Sequence, residues 1–222
     1  MQTSLTKTET EDLSNLPDKQ WQKVRKNHVA SPPYNLSDRE KALKEAYEKI
    51  IQFSLPVWLT GGSLLGAIRD HDFIPWDDDV DMDMRASDLI KIIKELKNKL
   101  MECGFIVRAK KNLPFPKLSF FKYGQKISIG GLHDQGDFLT RPHYKYPTKF
   151  FSTKERIVFK GCEFHVPSPP EEYLAFVYGN DWRTPKKSDN ELEYINPINF
   201  ITLPRFVTIK RFILSVINFI KR

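Results

Sequence analysis

Cysteine is scarce in this chain: its 222 residues include two, Cys103 and Cys162. Two cysteines cannot form the disulfide framework of a small secreted domain, and their spacing is not that of metal-ligating cysteine pairs. Both lie among apolar residues, which predicts buried thiols in a protein that stays in a reducing compartment.

The chain also lacks a long apolar run. Its first twenty residues, MQTSLTKTETEDLSNLPDKQ, are polar and contain no apolar core of a signal peptide. No stretch approaches the roughly 20 apolar residues that a membrane-spanning helix needs. These absences predict a cytoplasmic protein.

The composition is otherwise that of a globular protein. Hydrophobic residues make up 40% and charged residues 28% of the chain, which is long enough for one sizeable domain or at most two small ones. The net charge of +7 favours anionic partners such as nucleotides, polyphosphates, anionic glycans or a lipid surface. Nucleic acid is not expected, because no array of basic and aromatic residues is present.

Periodicity predicts an α+β fold, a small mixed sheet flanked by helices, and divides the chain into three segments. Residues 1–33 are predicted to be a polar, partly disordered arm. Residues 34–203 are predicted to form one domain, and residues 204–222 a basic amphipathic helix.

Several local signals set the expected elements of that domain. Regular structure is expected to begin at Ser37, which forms a capping box with Glu40. Ser87 is expected to cap a second helix. Short apolar runs before and after these helices predict strands. The segment PSPPEEYLAFVYG predicts a late helix that begins at a proline and ends before Gly179.

Candidate functional residues are most concentrated in one run of five aspartates within ten residues, WDDDVDMDMR. A solvated acidic turn is disfavoured because Val80 and Met82 alternate with the acids. A calcium loop of the EF-hand type is excluded, since counting from Asp77 puts Met82 at the sixth position, where that loop needs glycine.

The remaining interpretation is a strand with Asp79 and Asp81 on one face. Alternate residues of a strand lie about 7 Å apart at their Cα atoms. Two carboxylates at that spacing can converge on one or two hard divalent cations whose other ligands are phosphate oxygens.

A glycine turn precedes the acids, in the segment TGGS. Gly61 and Gly62 would let the backbone approach a phosphate closely, and Ser63 with the following helix N-terminus offers hydrogen-bond donors. A glycine-serine turn after a strand, followed by an acid–apolar–acid strand, is the layout of the nucleotidyltransferase superfamily.

Two longer stretches make the resemblance specific. GGSLLGAIRDHDFIPWDDDVDM resembles the signature of the LicD family, which includes bacterial phosphocholine transferases and the eukaryotic fukutin and fukutin-related proteins. FKGCEFHVPSPPEEYLAFVYGNDWRTP resembles the closing segment of the same family. The likeness covers roughly residues 38–185, so residues 34–203 are expected to be a LicD-like catalytic domain.

The resemblance implies a nucleotidyltransferase-like fold and a metal-dependent enzyme. Such an enzyme transfers a phosphorylated group from a nucleotide-activated, commonly CDP-linked, donor to a hydroxyl of a glycan or lipid-linked glycan. The implied cofactor is Mg²⁺ or Mn²⁺. The transferred group stays open among phosphocholine, alditol phosphates and sugar phosphates.

Individual roles follow from the same resemblance. It assigns Asp79 and Asp81 as metal ligands and Asp77 as the outer acid that either supports these ligands or shares their role. It assigns the binding of the donor phosphates to the turn residues, Gly61, Gly62 and Ser63. Arg69 is either a further phosphate partner or the partner of Asp72 or Asp77 in an ion pair.

One departure from the family pattern concerns a later strand, which in many members carries a further acid. Here the corresponding region, KISIGGLHDQGDFLTRPHYKYP, has Ser128 and Gly130 in the strand itself. Asp134 and Asp137 are the predicted replacements, with His133 a weaker one. A shifted register and a catalytically weakened member are the alternatives.

Other polar residues carry less specific predictions. Lys117 and Arg141 are predicted to bind anions. His143 and His165 are predicted to be structural, because no partner pattern surrounds them.

Two rival functions share these acids. A nucleotidyltransferase would attack the phosphorus next to the nucleoside and release pyrophosphate. A non-enzymatic accessory protein would bind a glycan or a metal without turnover.

The last segment, LPRFVTIKRFILSVINFIKR, combines an apolar face with basic residues. It predicts either a helix docked on the domain or an interfacial helix on an anionic inner membrane leaflet. The second alternative would bring the domain to a membrane-bound acceptor.

Overall fold

The computed structural model describes residues 11–111, 115–142, 144–187 and 195–196. The predicted C-terminal helix at 204–222 lies outside these residues, as does His143. Within the described ranges, no helix has both the length and the apolar character needed to cross a bilayer.

One mixed sheet organises the described residues. Its strands run in the order β3-β4-β5-β2-β1-β9-β8, with β6 paired to β5 and β7 to β6. The strands are β1 (Trp58–Leu59), β2 (Asp79–Arg85), β3 (Ile106–Lys110), β4 (Lys117–Lys122), β5 (Gln125–Asp134), β6 (Phe138–Arg141), β7 (Tyr144–Pro147), β8 (Arg156–Phe159) and β9 (Cys162–His165). β2 pairs antiparallel with β1 and parallel with β5. The predicted α+β class is confirmed.

Five α-helices accompany the sheet in the described part of the chain. They are α1 (Asp18–His28), α2 (Leu36–Ile50), α3 (Gly61–Arg69), α4 (Ala86–Glu102) and α5 (Pro170–Tyr178). α2 and α4 pack on each other and on β5, whereas α3 contacts β2 and α5.

Both predicted N-caps are wrong. The side chain of Asn35 accepts hydrogen bonds from the N–H groups of Ser37 and Asp38 at 3.0 and 3.2 Å, so α2 begins before the predicted capping box. α4 follows β2 directly and its N-cap residue, Arg85, makes no side-chain cap bond. Asparagine caps as well as serine does, which is why the serine signal was misleading.

Regular structure begins before Ser37, where it was expected to begin, since α1 covers Asp18–His28. Leu13 and Trp21 are buried against Ile106 and Phe121 in a small second core. The backbone N–H of Leu13 donates to the carbonyl of Val107 at 2.8 Å, which ties the segment to β3. A few widely spaced apolar residues pack this segment against the sheet, although its composition is polar.

The alternation in β2 separates a core face from a polar face. Val80, Met82 and Met84 are each at most 1% exposed and belong to the main core. Because successive side chains of a strand point to opposite faces, the aspartates between them share the other face. The acid–apolar pattern therefore predicted β2 correctly.

Candidate active site

The acids of β2 face three residues of β5. The register pairs Asp79 with Lys126, Asp81 with Ser128 and Asp83 with Gly130. Paired residues of neighbouring strands point to the same side of a sheet. Each acid of β2 is therefore opposed by a different chemical group of β5.

Asp81 is fixed by three neighbours. Its N–H donates to Ser63 Oγ at 2.9 Å, and Ser128 Oγ donates to Asp81 Oδ1 at 3.0 Å. Gly61 has a φ of +57°, and a Cβ at this position would lie 2.7 Å from Asp81 Oδ2. The absence of a side chain at Gly61 therefore leaves the space that the Asp81 carboxylate occupies.

Asp77 is placed in a similar way by the second glycine of the turn. A Cβ on Gly62 would collide with Asp77 Oδ2. On the other side, Arg39 Nη2 donates to the backbone carbonyl of Asp77 at 2.7 Å, and Arg39 Nε donates to Gln125 Oε1 at 3.1 Å. The Arg39 side chain is fully buried, so it fixes the entry to β2 from inside the domain.

Three consecutive acids bring their carboxylate oxygens close enough to share a cation. Asp77, Asp78 and Asp79 each offer a carboxylate oxygen, and these atoms lie within 4.8 Å of one another. Asp81 is outside that group, although it lies against the same glycine turn. Asp78 forms an ion pair with Arg25, and Asp79 forms one with Lys126.

Burial and mutual repulsion act on these acids unequally. Burial raises the pKa of Asp77 well above its usual range, and the charges of Asp79 and Asp81 raise it further. Burial and the charge of Asp79 also raise the pKa of Asp81. Burial opposes ionisation of Asp79 as well, but Lys126 outweighs it and lowers the pKa of that carboxyl. Lys126 thus stabilises the charged form of Asp79, whereas the fold disfavours the charged forms of Asp77 and Asp81.

The donor set fits a hard divalent cation. All of its ligand atoms are carboxylate oxygens, the type that Mg²⁺ and Mn²⁺ prefer over nitrogen or sulfur. The glycine turn contacts two of these acids, Gly61 at the carboxylate of Asp81 and Gly62 at that of Asp77.

Asp83 has a structural environment. It is fully buried, accepts a hydrogen bond from Thr60 Oγ1 at 2.8 Å and pairs with Arg141 Nη1 at 3.3 Å. The guanidinium of Arg141 also lies over the rings of Tyr144 and Tyr146. Arg141, predicted to bind an anion, therefore already neutralises one acid of β2.

The structure does not bring Asp134 or Asp137 to the acids. Asp134 lies six residues beyond Ser128 on β5, about 20 Å along the strand. Its carboxylate is exposed and pairs with Arg85 at 2.6 Å. Asp137 is exposed in the turn that follows. Ser128 is the β5 residue that faces Asp81, because the parallel register fixes it there.

Arg69 has a partner that the sequence analysis did not consider. Its Nε and Nη2 atoms donate to the two carboxylate oxygens of Asp70 at 2.8 and 2.7 Å. Asp72 instead pairs with Lys160 at 2.7 Å. Arg69 therefore forms an ion pair, as one of the two alternatives predicted, but its partner is Asp70 and not Asp72 or Asp77.

The sequence analysis missed three cations near the acids: Arg25, Arg39 and Lys126. Arg25 and Arg39 come from helices before the glycine turn, and Lys126 comes from a strand after it. No short motif joins them to the aspartates. The one local feature that singles out Lys126 is its position as a lysine at the start of an apolar strand.

A glycine turn packed against an acid–apolar strand in a small mixed sheet defines a nucleotidyltransferase-like domain. Residues 54–169, just over half of the chain, match the family described as LicD/FKTN/FKRP, nucleotidyltransferase domain. The chain therefore belongs to this family, as its sequence signature predicted.

Two named relatives carry transferase names. The human ribitol-5-phosphate transferase FKTN is 26% identical over 176 residues, which cover 73% of this chain and 36% of that protein. The lipopolysaccharide cholinephosphotransferase LicD of Haemophilus influenzae is 42% identical over 59 residues, 27% of this chain and 20% of that protein. The chain spans about half the length of two rickettsial relatives that it also matches.

Among solved structures, the antibiotic-resistance factor ANT(2'')-Ia matches with a TM-score of 0.44 and 15% identity. The match covers 60% of this chain and 67% of that one.

Proposed function

We propose that this chain is a metal-dependent phosphotransferase that moves a phosphorylated group from a CDP-linked donor to a glycan hydroxyl. The observation that carries the proposal is the contact of Gly61 with Asp81 and of Gly62 with Asp77 inside a LicD domain. The names of the two relatives, which refer to ribitol phosphate and choline phosphate, support a phosphorylated alcohol as the transferred group.

In this proposal Asp79 and Asp81 hold the metal, and Asp77 lies at its edge. A bound Mg²⁺ or Mn²⁺ would neutralise the charge that develops on the leaving nucleotide phosphate. The turn at Gly61 and Gly62 and the N–H groups that open α3 would bind the donor phosphates, since a helix N-terminus favours anions.

Side-chain donors complete the proposed donor site. Ser63 Oγ accepts a hydrogen bond from Asp81 and keeps its own proton for a phosphate oxygen. Lys117 is exposed on β4 beside β5 and is the cation that we propose for the outer phosphate. Arg69 keeps a phosphate role in this proposal only if it leaves Asp70.

Asp77 is the proposed base. The position of β5 that faces Asp81 carries the hydroxyl of Ser128 and not a third acid. Because burial and neighbouring acids raise the pKa of Asp77, its carboxylate has a high affinity for a proton. We propose that Asp77 Oδ2 accepts the proton of the acceptor hydroxyl as that oxygen attacks the distal phosphorus.

The proposed acceptor is a surface polysaccharide or a lipid-linked glycan, reached from the cytoplasmic side. An interfacial helix at 204–222 would hold the domain at an anionic leaflet. The charge of the chain supports both the anionic donor and this surface.

Incubation of the purified chain with Mn²⁺ and CDP-choline, CDP-ribitol or CDP-glycerol, with a mixed glycan acceptor, tests the proposal. Acceptor-dependent release of CMP is expected from at least one donor, and Asp81→Asn should abolish it. Asp181→Asn is the matched control, because Asp181 is an exposed acid that pairs with Lys186.

Two other outcomes would identify the rivals. Release of pyrophosphate from CTP, with the nucleotide retained on the acceptor, would identify a nucleotidyltransferase. No product and no metal-dependent binding of CDP would identify an accessory protein and contradict the proposal.

A further inference from the structure

Fixed cations neutralise the acids of the site unevenly. Asp78 pairs with Arg25, Asp79 with Lys126, and Asp83 with Arg141, which leaves two acids of the segment. Those two, Asp77 and Asp81, form no ion pair within the part of the chain that the structure describes.

Lys126 is the most buried of the three cations that form ion pairs with these acids. Its side chain is 10% exposed, close to the 11% of Asp79, and its Nζ contacts Asp79 Oδ2. The same Nζ lies 3.9 Å from Asp78 Oδ1.

The position of Lys126 limits how much additional positive charge these acids can bind. Two divalent cations in one site lie about 3.5–4 Å apart and share carboxylate ligands. The ammonium of Lys126 already contacts one oxygen of Asp79. Facing Asp81, the hydroxyl of Ser128 donates a hydrogen bond to Asp81 Oδ1 and adds no charge to the site.

We propose that the site binds a single divalent cation, shared by Asp79 and Asp81, and that the ammonium of Lys126 takes the place of a second one. This inference rests on the proposed function and assigns Lys126 a part in it. Lys126 would donate to an oxygen of the donor's phosphate while it remains held by Asp79. No bond is made or broken at Lys126, which stays protonated throughout.

The experiment counts bound Mn²⁺ per chain, with Mn²⁺ alone as the probe and free Mn²⁺ measured by electron paramagnetic resonance. The full chain is expected to bind one Mn²⁺. Lys126→Met should bind two, because the acids then lack their built-in cation. Lys126→Arg should bind one, since the charge is kept.

Lys122→Met is the matched control. Lys122 is also a largely buried lysine in an ion pair, with Glu45. Phe121 is the β4 residue that pairs with Lys126, so the side chain of Lys122 points to the opposite face of the sheet. This variant should bind one Mn²⁺. Lys126→Gln provides a second neutral variant that keeps a hydrogen-bond donor if Lys126→Met does not fold.

Each other outcome overturns a defined part of the account. Two Mn²⁺ bound by the unaltered chain would overturn this inference and leave the proposed function standing. One Mn²⁺ in both the unaltered chain and the folded neutral variants would overturn the role of Lys126. No Mn²⁺ bound by the unaltered chain would overturn the proposed metal-dependent function itself.

Discussion

Gly61→Ala tests whether the glycine turn holds the Asp81 carboxylate in place. The backbone at Gly61 has a φ of +57°, and the new Cβ would lie 2.7 Å from Asp81 Oδ2 and 3.1 Å from Asp81 Cβ. The backbone conformation alone costs a non-glycine residue about 1–2 kcal/mol. To reach an ordinary contact of about 3.4 Å, the carboxylate oxygen must move by about 0.7 Å.

Gly136→Ala separates these two effects. Gly136 has a φ of +72°, and a Cβ there would meet nothing within 4 Å. Both variants should therefore lose about 1–2 kcal/mol of unfolding free energy in denaturant titrations. A displacement of this size in a reacting group costs about tenfold to hundredfold in rate. We expect that loss in CMP release for Gly61→Ala and an unchanged rate for Gly136→Ala.

Equal rates in the two variants would refute the reasoning. The Asp81 carboxylate would then tolerate displacement, and its contact with Gly61 would have no catalytic meaning. A much larger stability loss in Gly61→Ala than in Gly136→Ala would show that the turn gives way and that Asp81 stays in place.

Three further predictions concern the acids and the tail. Asp79→Asn and Asp81→Asn should both lose the rise in melting temperature that Mn²⁺ gives, and a metal-induced rise as large as that of the unaltered chain would contradict the ligand assignment. Without metal, the two substitutions should change the melting temperature in opposite directions. The pKa of Asp81 is raised in the fold, so neutralising it should stabilise the domain, whereas Asp79→Asn leaves Lys126 without its charged partner and should cost about 1–3 kcal/mol. Asp134→Asn and Asp137→Asn should keep CMP release within about twofold, because both acids are exposed and lie beyond the site; a hundredfold loss in either would place a third acid there after all. Truncation before Pro204 should leave a folded chain that acts on a soluble acceptor and no longer sediments with anionic liposomes, and unfolding or aggregation would assign that segment to the core.

The parts of the site that are local in sequence were predictable. The alternation of acids with Val80, Met82 and Met84 predicts one strand with one polar face, and β2 has that form. The glycine turn precedes it by fewer than twenty residues, so the sequence signature links the two directly.

The parts that depend on strand register were not predictable. Lys126 faces Asp79, and Ser128 faces Asp81, because β5 pairs parallel to β2 across a helix and two intervening strands. A shift of one residue would have turned both side chains to the other face of the sheet. The sequence analysis therefore looked for a third acid further along the chain, at Asp134 and Asp137.

The glycines of the turn have a packing role in addition to the phosphate contact that we propose for them. Their predicted purpose was close approach to a phosphate. In the fold, the space at Gly61 and Gly62 is taken by the carboxylates of Asp81 and Asp77. This packing could not be inferred from the turn alone, since it depends on where β2 lies relative to α3.

Calorimetric titration of CDP into the full chain tests the central claim most directly, because it asks whether the acids and the turn form one metal-dependent nucleotide site. We expect binding in the presence of Mn²⁺, no binding in the presence of EDTA, and no binding to Asp81→Asn under either condition. Binding of equal strength with and without Mn²⁺, or retained in Asp81→Asn, would contradict the account.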